Sequence, residues 1–272
     1  MNARYVCSAV SDVGCRRRLN EDACLSRPDL GLWVVADGMG GHQAGDHASR
    51  SIVEALDFAE GAVSPRTLID RIEDAMVEVN DRLVAHAHGL GPEAVVASTV
   101  VGLILAQTHF AVFWLGDSRA YMVRGGAALQ LTRDDSHVQA LVDAGEIDEE
   151  AARSHPLSHV VTAAVGAGAE FDLHFTHGRC GLRDRFVLCS DGLSNLVTPA
   201  ETGRIVDATP VGEAAQVLVD LARRRGAPDN VTVVVVGQGD EAADATLPGH
   251  SGAAPLEDDI TMAAPPRRRE EP

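Results

Sequence analysis

The chain is 272 residues long, 45% hydrophobic and 23% charged, which is enough apolar material for a substantial core and excludes wholesale disorder. Its 40 acidic residues against 23 basic ones leave a formal charge of −17, the wrong sign for a protein that grips nucleic acid or an anionic membrane surface. Every basic residue is Arg, which excludes Walker-A phosphate loops, protein kinases and Schiff-base or pyridoxal enzymes, all of which place a Lys at the reacting centre.

The N-terminal sequence MNARYVCSAV lacks the apolar stretch of a signal peptide. Apolar, β-rich runs follow at 5–10, 32–36, 99–105, 110–115, 120–124, 186–189 and 231–236. Several are almost continuously apolar, the pattern of strands covered on both faces. Two helical patterns lie between the second and third runs. Ala48, Ile52, Ala55, Leu56 and Ala59 recur at three-to-four spacing, and Leu68, Ile72, Met76, Val79 and Leu83 do the same behind Pro65. A third helix is expected over 211–225. Strand clusters separated by paired helices suggest sheets stacked in the middle with helices outside.

The five cysteines, Cys7, Cys15, Cys24, Cys180 and Cys189, form no CxxC pair, which argues against a disulfide scaffold and a structural zinc site. They read as buried thiols of a reducing compartment, so a cytoplasmic location is expected. No apolar run approaches the ~18 residues of a membrane span. Composition breaks near Gly239: residues 1–239 read as one domain, and 240–272 as a disordered acidic, Pro-rich tail. Thr246 and Thr261 each follow acidic residues in that tail, where a kinase could reach them.

The informative feature is where the Asp residues fall. Asp22 follows Asn20-Glu21, Asp37 ends the run Trp33-Val34-Val35-Ala36, and Asp117 follows Leu115-Gly116. Asp191 follows Cys189-Ser190, and Asp229-Asn230 precedes the run at 231–236. Each alone is readable as an Asp-Gly or Asp-Asn turn closing a strand. Together, carboxylates at one rim of a sheet would repel one another and resist desolvation unless cations neutralised them. Hard divalent ions with oxygen ligands do so. After Asp37 comes a Gly-rich loop, Gly38-Met39-Gly40-Gly41-His42, in which backbone groups can approach an ion closely.

The ordered series RRLNED, ADGMGGHQAG, ASTVVG, LGDSRAY, LTRDDSHV, CSDGL and PDNVTVVVV resembles the metal-dependent Ser/Thr protein phosphatases (type 2C, PPM family), most of all their short bacterial members. The resemblance covers about residues 5–237. It implies an α+β fold, a four-layer α-β-β-α sandwich of two antiparallel sheets flanked by helix pairs, with metals at one end. It further implies that Asp37 bridges two Mn²⁺ or Mg²⁺ ions, with the Gly38 carbonyl on one of them. Asp191 and Asp229 would complete the first ion's set, and Asp22 or Glu21 would hold the second, mostly through water. Asp117 would hold a third, weaker ion together with Asp191. Arg17, four residues before Glu21, would bind the substrate phosphate. The ion pair would acidify a bridging water, and the hydroxide would attack phosphorus in line without a phosphoenzyme.

In one respect the chain departs from the eukaryotic members, which carry His directly after the Asp-Gly as candidate general acid. Here that position is Met39, and His42 is the available substitute. The stretch SHVQALVDAGEIDEEAARSHP at 136–156 reads as a surface helix and turn, and by resemblance as a flap beside the metals. Phosphorylated proteins and a Hanks-type Ser/Thr kinase are the partners implied, with no nucleic acid, for a monomeric enzyme. Two alternatives stay open: a catalytically silent phosphoprotein-binding module on the same fold, and a phosphatase for small phosphomonoesters.

Overall fold

The structure, a computed structural model, describes residues 5–40, 44–58, 64–153, 155–169, 171–238 and 260–262. In chain order the first elements are β1 (Tyr5–Asp12), β2 (Asp22–Arg27), β3 (Leu32–Gly40), α1 (Ala44–Leu56) and α2 (Pro65–Leu90). Next come β4 (Val96–Ser98), β5 (Val100–Ala106), β6 (His109–Leu115), β7 (Arg119–Arg124) and β8 (Ala127–Gln130). Two short helices, α3 (His137–Asp143) and α4 (Glu149–Arg153), precede β9 (His174–Arg179) and β10 (Arg185–Cys189). The chain continues through α5 (Asp191–Ser194), α6 (Pro199–Ala208), α7 (Val211–Arg224), β11 (Val231–Gln238) and β12 (Ile260–Met262).

The strands form two antiparallel sheets, one in the order β1-β11-β10-β7-β8 and one in the order β12-β9-β6-β5-β3-β2, with β4 beside β3. Three apolar layers hold four structural layers together. Leu32, Val34 and Ala36 of β3 pack with Ile52, Met76 and Val79 of α1 and α2. Their sequence neighbours Trp33 and Val35 face the other way, into the space between the sheets, with Met122, Leu188 and Val234. Val231, Val233 and Val235 of β11 pack under α7, against Leu218 and Ala222. Continuously apolar runs thus alternate between two buried faces, and the sandwich is α-β-β-α.

Local chemistry explains the helix ends. The Ser64 hydroxyl accepts the Thr67 N–H at 3.1 Å ahead of Pro65, capping α2. α6 lies outside the helical patterns read from periodicity, yet Thr198-Pro199-Ala200-Glu201 spells a reciprocal capping box, and both of its bonds are made.

Three features differ from the sequence reading. Asp37 does not end its strand: β3 runs on to Gly40, because Gly38–Gly40 pair with Val96–Ser98 of β4. Cys15 is exposed rather than buried. Within the segment read as a disordered tail, β12 pairs antiparallel with Thr176–Gly178 of β9. Thr261 stands opposite His177 in that register; Thr246 lies outside the described residues.

Candidate metal centre

Strand register brings the carboxylates to one rim. Asp22 and Asp37 are direct partners across β2 and β3. Asp117 sits in the turn joining β6 to β7, Asp191 opens α5 directly after β10, and Asp229 lies two residues before β11. β7 and β11 both pair with β10 at its Cys189 end, through Arg119 and Val233, so these turns share an edge.

The electrostatics are those of crowded negative charge. Burial, followed by the charges of Asp22, Asp191, Asp117 and Asp229, drives the Asp37 carboxyl well above its ordinary range. Burial and Asp191 push Asp117 to about 8. Burial pushes Asp22 to about 7 against the pull of its Thr232 and Ser190 hydrogen bonds. Asp191 rises to about 6 from burial and the charge of Asp229, against the pull of Arg17 and the hydrogen bond that Asn195 donates. Carboxylates are costly occupants of such a place unless a cation is due there.

The scaffold under these groups is polar and fully specified. Thr99 donates its N–H to the Asp37 carbonyl at 2.9 Å, the Ser98 hydroxyl donates to the same carbonyl at 3.0 Å, and Thr99 Oγ1 meets the Ser118 hydroxyl at 2.7 Å. Ser190 donates to Asp22 Oδ2 at 2.8 Å and accepts the Thr232 N–H. Asn230 is buried, accepts the Glu21 N–H at 2.8 Å and donates to the Val13 and Leu19 carbonyls at 3.0 and 2.9 Å. One side chain therefore fixes the loop that carries Arg17 and Glu21. Arg17 reaches back so that Nη2 lies 2.7 Å from Asp229 Oδ2, with 52% of its side chain exposed.

Glycine keeps a second cradle open. A Cβ on Gly45 would lie 2.6 Å from Glu21 Oε1 and 2.8 Å from the Gly38 carbonyl oxygen, and one on Gly38 would strike the Gly45 carbonyl. Only glycines let these two oxygens converge. Beside Asp117 and Asp191 opens a cavity of about 320 Å³, lined also by Arg119, Gln130 and Asn195 and by Glu149 and Arg153 of α4.

Comparison with known proteins decides the family. The model of the family described as Protein phosphatase 2C matches residues 16–218. The chain belongs to the protein phosphatase 2C family. The serine/threonine protein phosphatase PstP of Mycobacterium tuberculosis is 37% identical over 254 residues, 93% of this chain and 48% of that protein, so the chain spans about half the length of this relative. Among solved structures, PppA of Pseudomonas aeruginosa superposes with a TM-score of 0.80 at 37% identity, covering 86% of this chain and 98% of that one. The catalytic domain of PstP in complex with two manganese ions superposes with a TM-score of 0.75 at 34% identity, covering 87% and 99%.

Within this phosphatase 2C chain, Arg17, Glu21, Asp22, Asp37, Gly38, Asp117, Asp191 and Asp229 all lie at the one rim, whereas His42 lies outside the described residues. Among the described residues no three of the side chains already enclose a common point at coordinating distance. Arg17 takes up Asp229, and Asn195 donates to Asp191 Oδ2 at 3.1 Å. The donor set nonetheless fits hard divalent ions: five carboxylates crowded at one rim, a converging carbonyl, and Asp22 Oδ1 buried without any hydrogen-bond partner. Sequence reasoning assigns no role to Ser190, Asn230, Asp134 or Asp135. Each is adjacent to a motif Asp or inside LTRDDSHV, and that adjacency is the available signal.

Proposed function

We propose that the chain is a metal-dependent protein serine/threonine phosphatase that hydrolyses phosphoserine and phosphothreonine and opposes a bacterial Ser/Thr kinase. The observation that carries the reading is the convergence of Asp22, Asp37, Asp117, Asp191 and Asp229 on one rim with Arg17 placed among them. Support comes also from PstP, a relative that is a Ser/Thr phosphatase and whose catalytic domain binds two manganese ions.

Asp37 would serve two Mn²⁺ or Mg²⁺ ions at once, Asp191 and Asp229 the first of them, and the Gly38 carbonyl with Glu21 the second. Asp22, tethered to Ser190, would act through water from the buried side, and Asp117 with Asp191 would hold a third, weaker ion. When bound, the ions supply Lewis acidity and a water acidified toward neutral pH. Arg17 does the protein's part in phosphate recognition. A guanidinium offers two parallel N–H donors to phosphate oxygens, and it spreads its charge over the oxygens that grow more negative in the transition state. Its exposure leaves it free to exchange Asp229 for an incoming phosphate. Asn230 and Gly45 hold Arg17 and Glu21 to the site, so that little reorganisation is left for the moment of reaction.

No helix of the described residues is long and apolar enough to cross a membrane. The free thiols support a reducing, cytoplasmic setting, and we take the enzyme to act as a monomer on phosphorylated protein substrates. His42, three residues after Met39 in the sequence, is proposed as the proton donor to the leaving alkoxide, a role Met39 cannot fill. The test is release of phosphate from phosphothreonine peptides and from small phosphomonoesters, side by side, in excess Mn²⁺. Preference for peptides is expected. Hydrolysis confined to small monoesters would replace protein phosphatase by a small-molecule phosphatase, and no hydrolysis of either would leave a phosphoprotein-binding module.

A further inference from the structure

The dipeptide Asp134-Asp135 is bolted to the chain on both sides of Asp117, at Gly116 and at Arg119. On the C-terminal side Asp134 makes a forked ion pair with Arg119, at 3.0 Å to Nε and 2.7 Å to Nη2. On the N-terminal side the Gly116 N–H donates to Asp135 Oδ2 at 2.8 Å, and the Asp135 N–H donates to the Gly116 carbonyl at 2.9 Å. Gly116 itself has no latitude: its φ is 107°, and a Cβ there would lie 2.7 Å from the Thr99 side chain. The Asp135 carboxylate thus holds the Leu115–Gly116 peptide, and the Asp135 backbone N–H holds the Gly116–Asp117 peptide that leads into Asp117.

That carboxylate is aimed by His174. Nε2 of His174, at the start of β9, lies 3.0 Å from Asp135 Oδ1, and because a carboxylate only accepts, Nε2 carries the proton. The imidazole lies 5.1 Å from the ring of Trp114, whose Nε1 donates to the Arg133 carbonyl at 2.8 Å. The Thr162 N–H ties the Asp135 carbonyl to the far side of the flap at 2.7 Å. Packing does not hold Asp135 in place, because Asp135, His174 and Trp114 border a cavity of about 340 Å³. Hydrogen bonds do. None of these groups has a part in the chemistry set out above.

We propose that His174 and Asp135 are positioning residues for Asp117: His174 orients Asp135, Asp135 fixes the Gly116 peptide, and the Asp117 carboxylate is thereby aimed at the weaker ion site it shares with Asp191. The proposal rests on the reading of Asp117 as a metal ligand. It links β9, at the side of the second sheet, to the metal rim through two hydrogen bonds.

The test is calorimetric titration of Mn²⁺ into the chelator-stripped full chain, with turnover of a phosphothreonine peptide followed in parallel. His174→Ala and Asp135→Ala weaken the low-affinity Mn²⁺ event roughly ten- to a hundredfold, as loss of a group that orients a ligand typically does, and leave the tighter binding unchanged. His174→Gln, whose amide can donate to Asp135, restores the weak event. His174→Asn, polar but too short to reach, does not, and it replaces the Ala variant should that fail to fold. Asp117→Asn removes the weak event altogether. If Asp117→Asn leaves the isotherm unchanged, the ligand reading fails and the proposal falls with it. If Asp117→Asn removes the weak event while His174→Ala retains it, or if Gln performs no better than Asn, the positioning role is overturned and the ligand reading stands.

Discussion

Nη2 of Arg17 lies 2.7 Å from Oδ2 of Asp229, so a guanidinium at the rim rests on one of the carboxylates proposed to bind metal. The pairing, together with the nearby charges of Glu21 and Asp37, raises the proton affinity of the guanidinium further. It is an exposed pair, worth little to stability, and that suits a group that must change partners.

Replacing Arg17 by Ala is therefore expected to cost substrate binding rather than fold. Losing a charge-assisted pair of hydrogen bonds costs about 1.5–3 kcal/mol, or roughly ten- to a hundredfold in KM, with a smaller fall in kcat. Arg17→Lys should not restore it, since an ammonium lacks the planar fork. Steady-state kinetics on a phosphothreonine peptide checks this. The same effect from Arg16→Ala or Arg18→Ala, but not from Arg17→Ala, would place phosphate recognition on the wrong Arg.

The crowded carboxylates predict an unusual stability profile. Asp22 and Asp117 have folded-state pKa values of about 7 and about 8, above those of an unfolded chain, so their contribution to folding is fully present at pH below the unfolded values, near 4. It is lost as pH rises through 7 and 8. In a chelator the melting temperature should thus fall between about pH 5 and 9, with stability declining by at most about 1.4 kcal/mol per pH unit for each group. Excess Mn²⁺ should flatten or reverse the trend by neutralising the cluster. Asp37→Asn should raise the melting temperature in chelator at pH 8 and abolish the Mn²⁺ effect. Thermal unfolding by circular dichroism at several pH values reads all three outcomes.

Much of this is legible in the sequence, because strand-end Asp residues and continuously apolar runs are local signals. The β3 run Trp33-Val34-Val35 announces a strand covered on both faces, and the structure splits it between two cores. The extension of β3 through Gly38–Gly40 is not legible. Glycines weaken a strand, and only the long-range pairing with β4 makes one there. The same applies to Asp135 and His174, which lie 39 positions apart and meet only once β6 and β9 pair. Sequence alone does not separate Glu21 from Asp22, and what distinguishes their surroundings is again nonlocal: Gly45 leaves room beside Glu21, while Ser190 donates to Asp22.

Asn230 gives a third prediction, which separates scaffold from chemistry. Asn230→Ala leaves the Glu21 N–H and the Val13 and Leu19 carbonyls without their partner, at about 1–3 kcal/mol for each buried group left unsatisfied. The expected result is a lower melting temperature together with a raised KM, since the loop carrying Arg17 loses its anchor. Asn230→Asp should not restore either, because a carboxylate accepts from Glu21 but cannot donate to the two carbonyls. Melting curves and kinetics on the same preparations check both effects.

The measurement closest to the central claim is the rate of phosphothreonine peptide hydrolysis against free Mn²⁺, for the wild-type chain and for Asp37→Asn in parallel. The wild type should show no turnover in excess chelator and should rise to saturation with Mn²⁺. Asp37→Asn should stay about 10³-fold or more lower in kcat at every concentration, several kcal/mol of lost transition-state stabilisation. Full wild-type turnover in chelator, or an Asp37→Asn variant that saturates at the wild-type rate, would contradict the account.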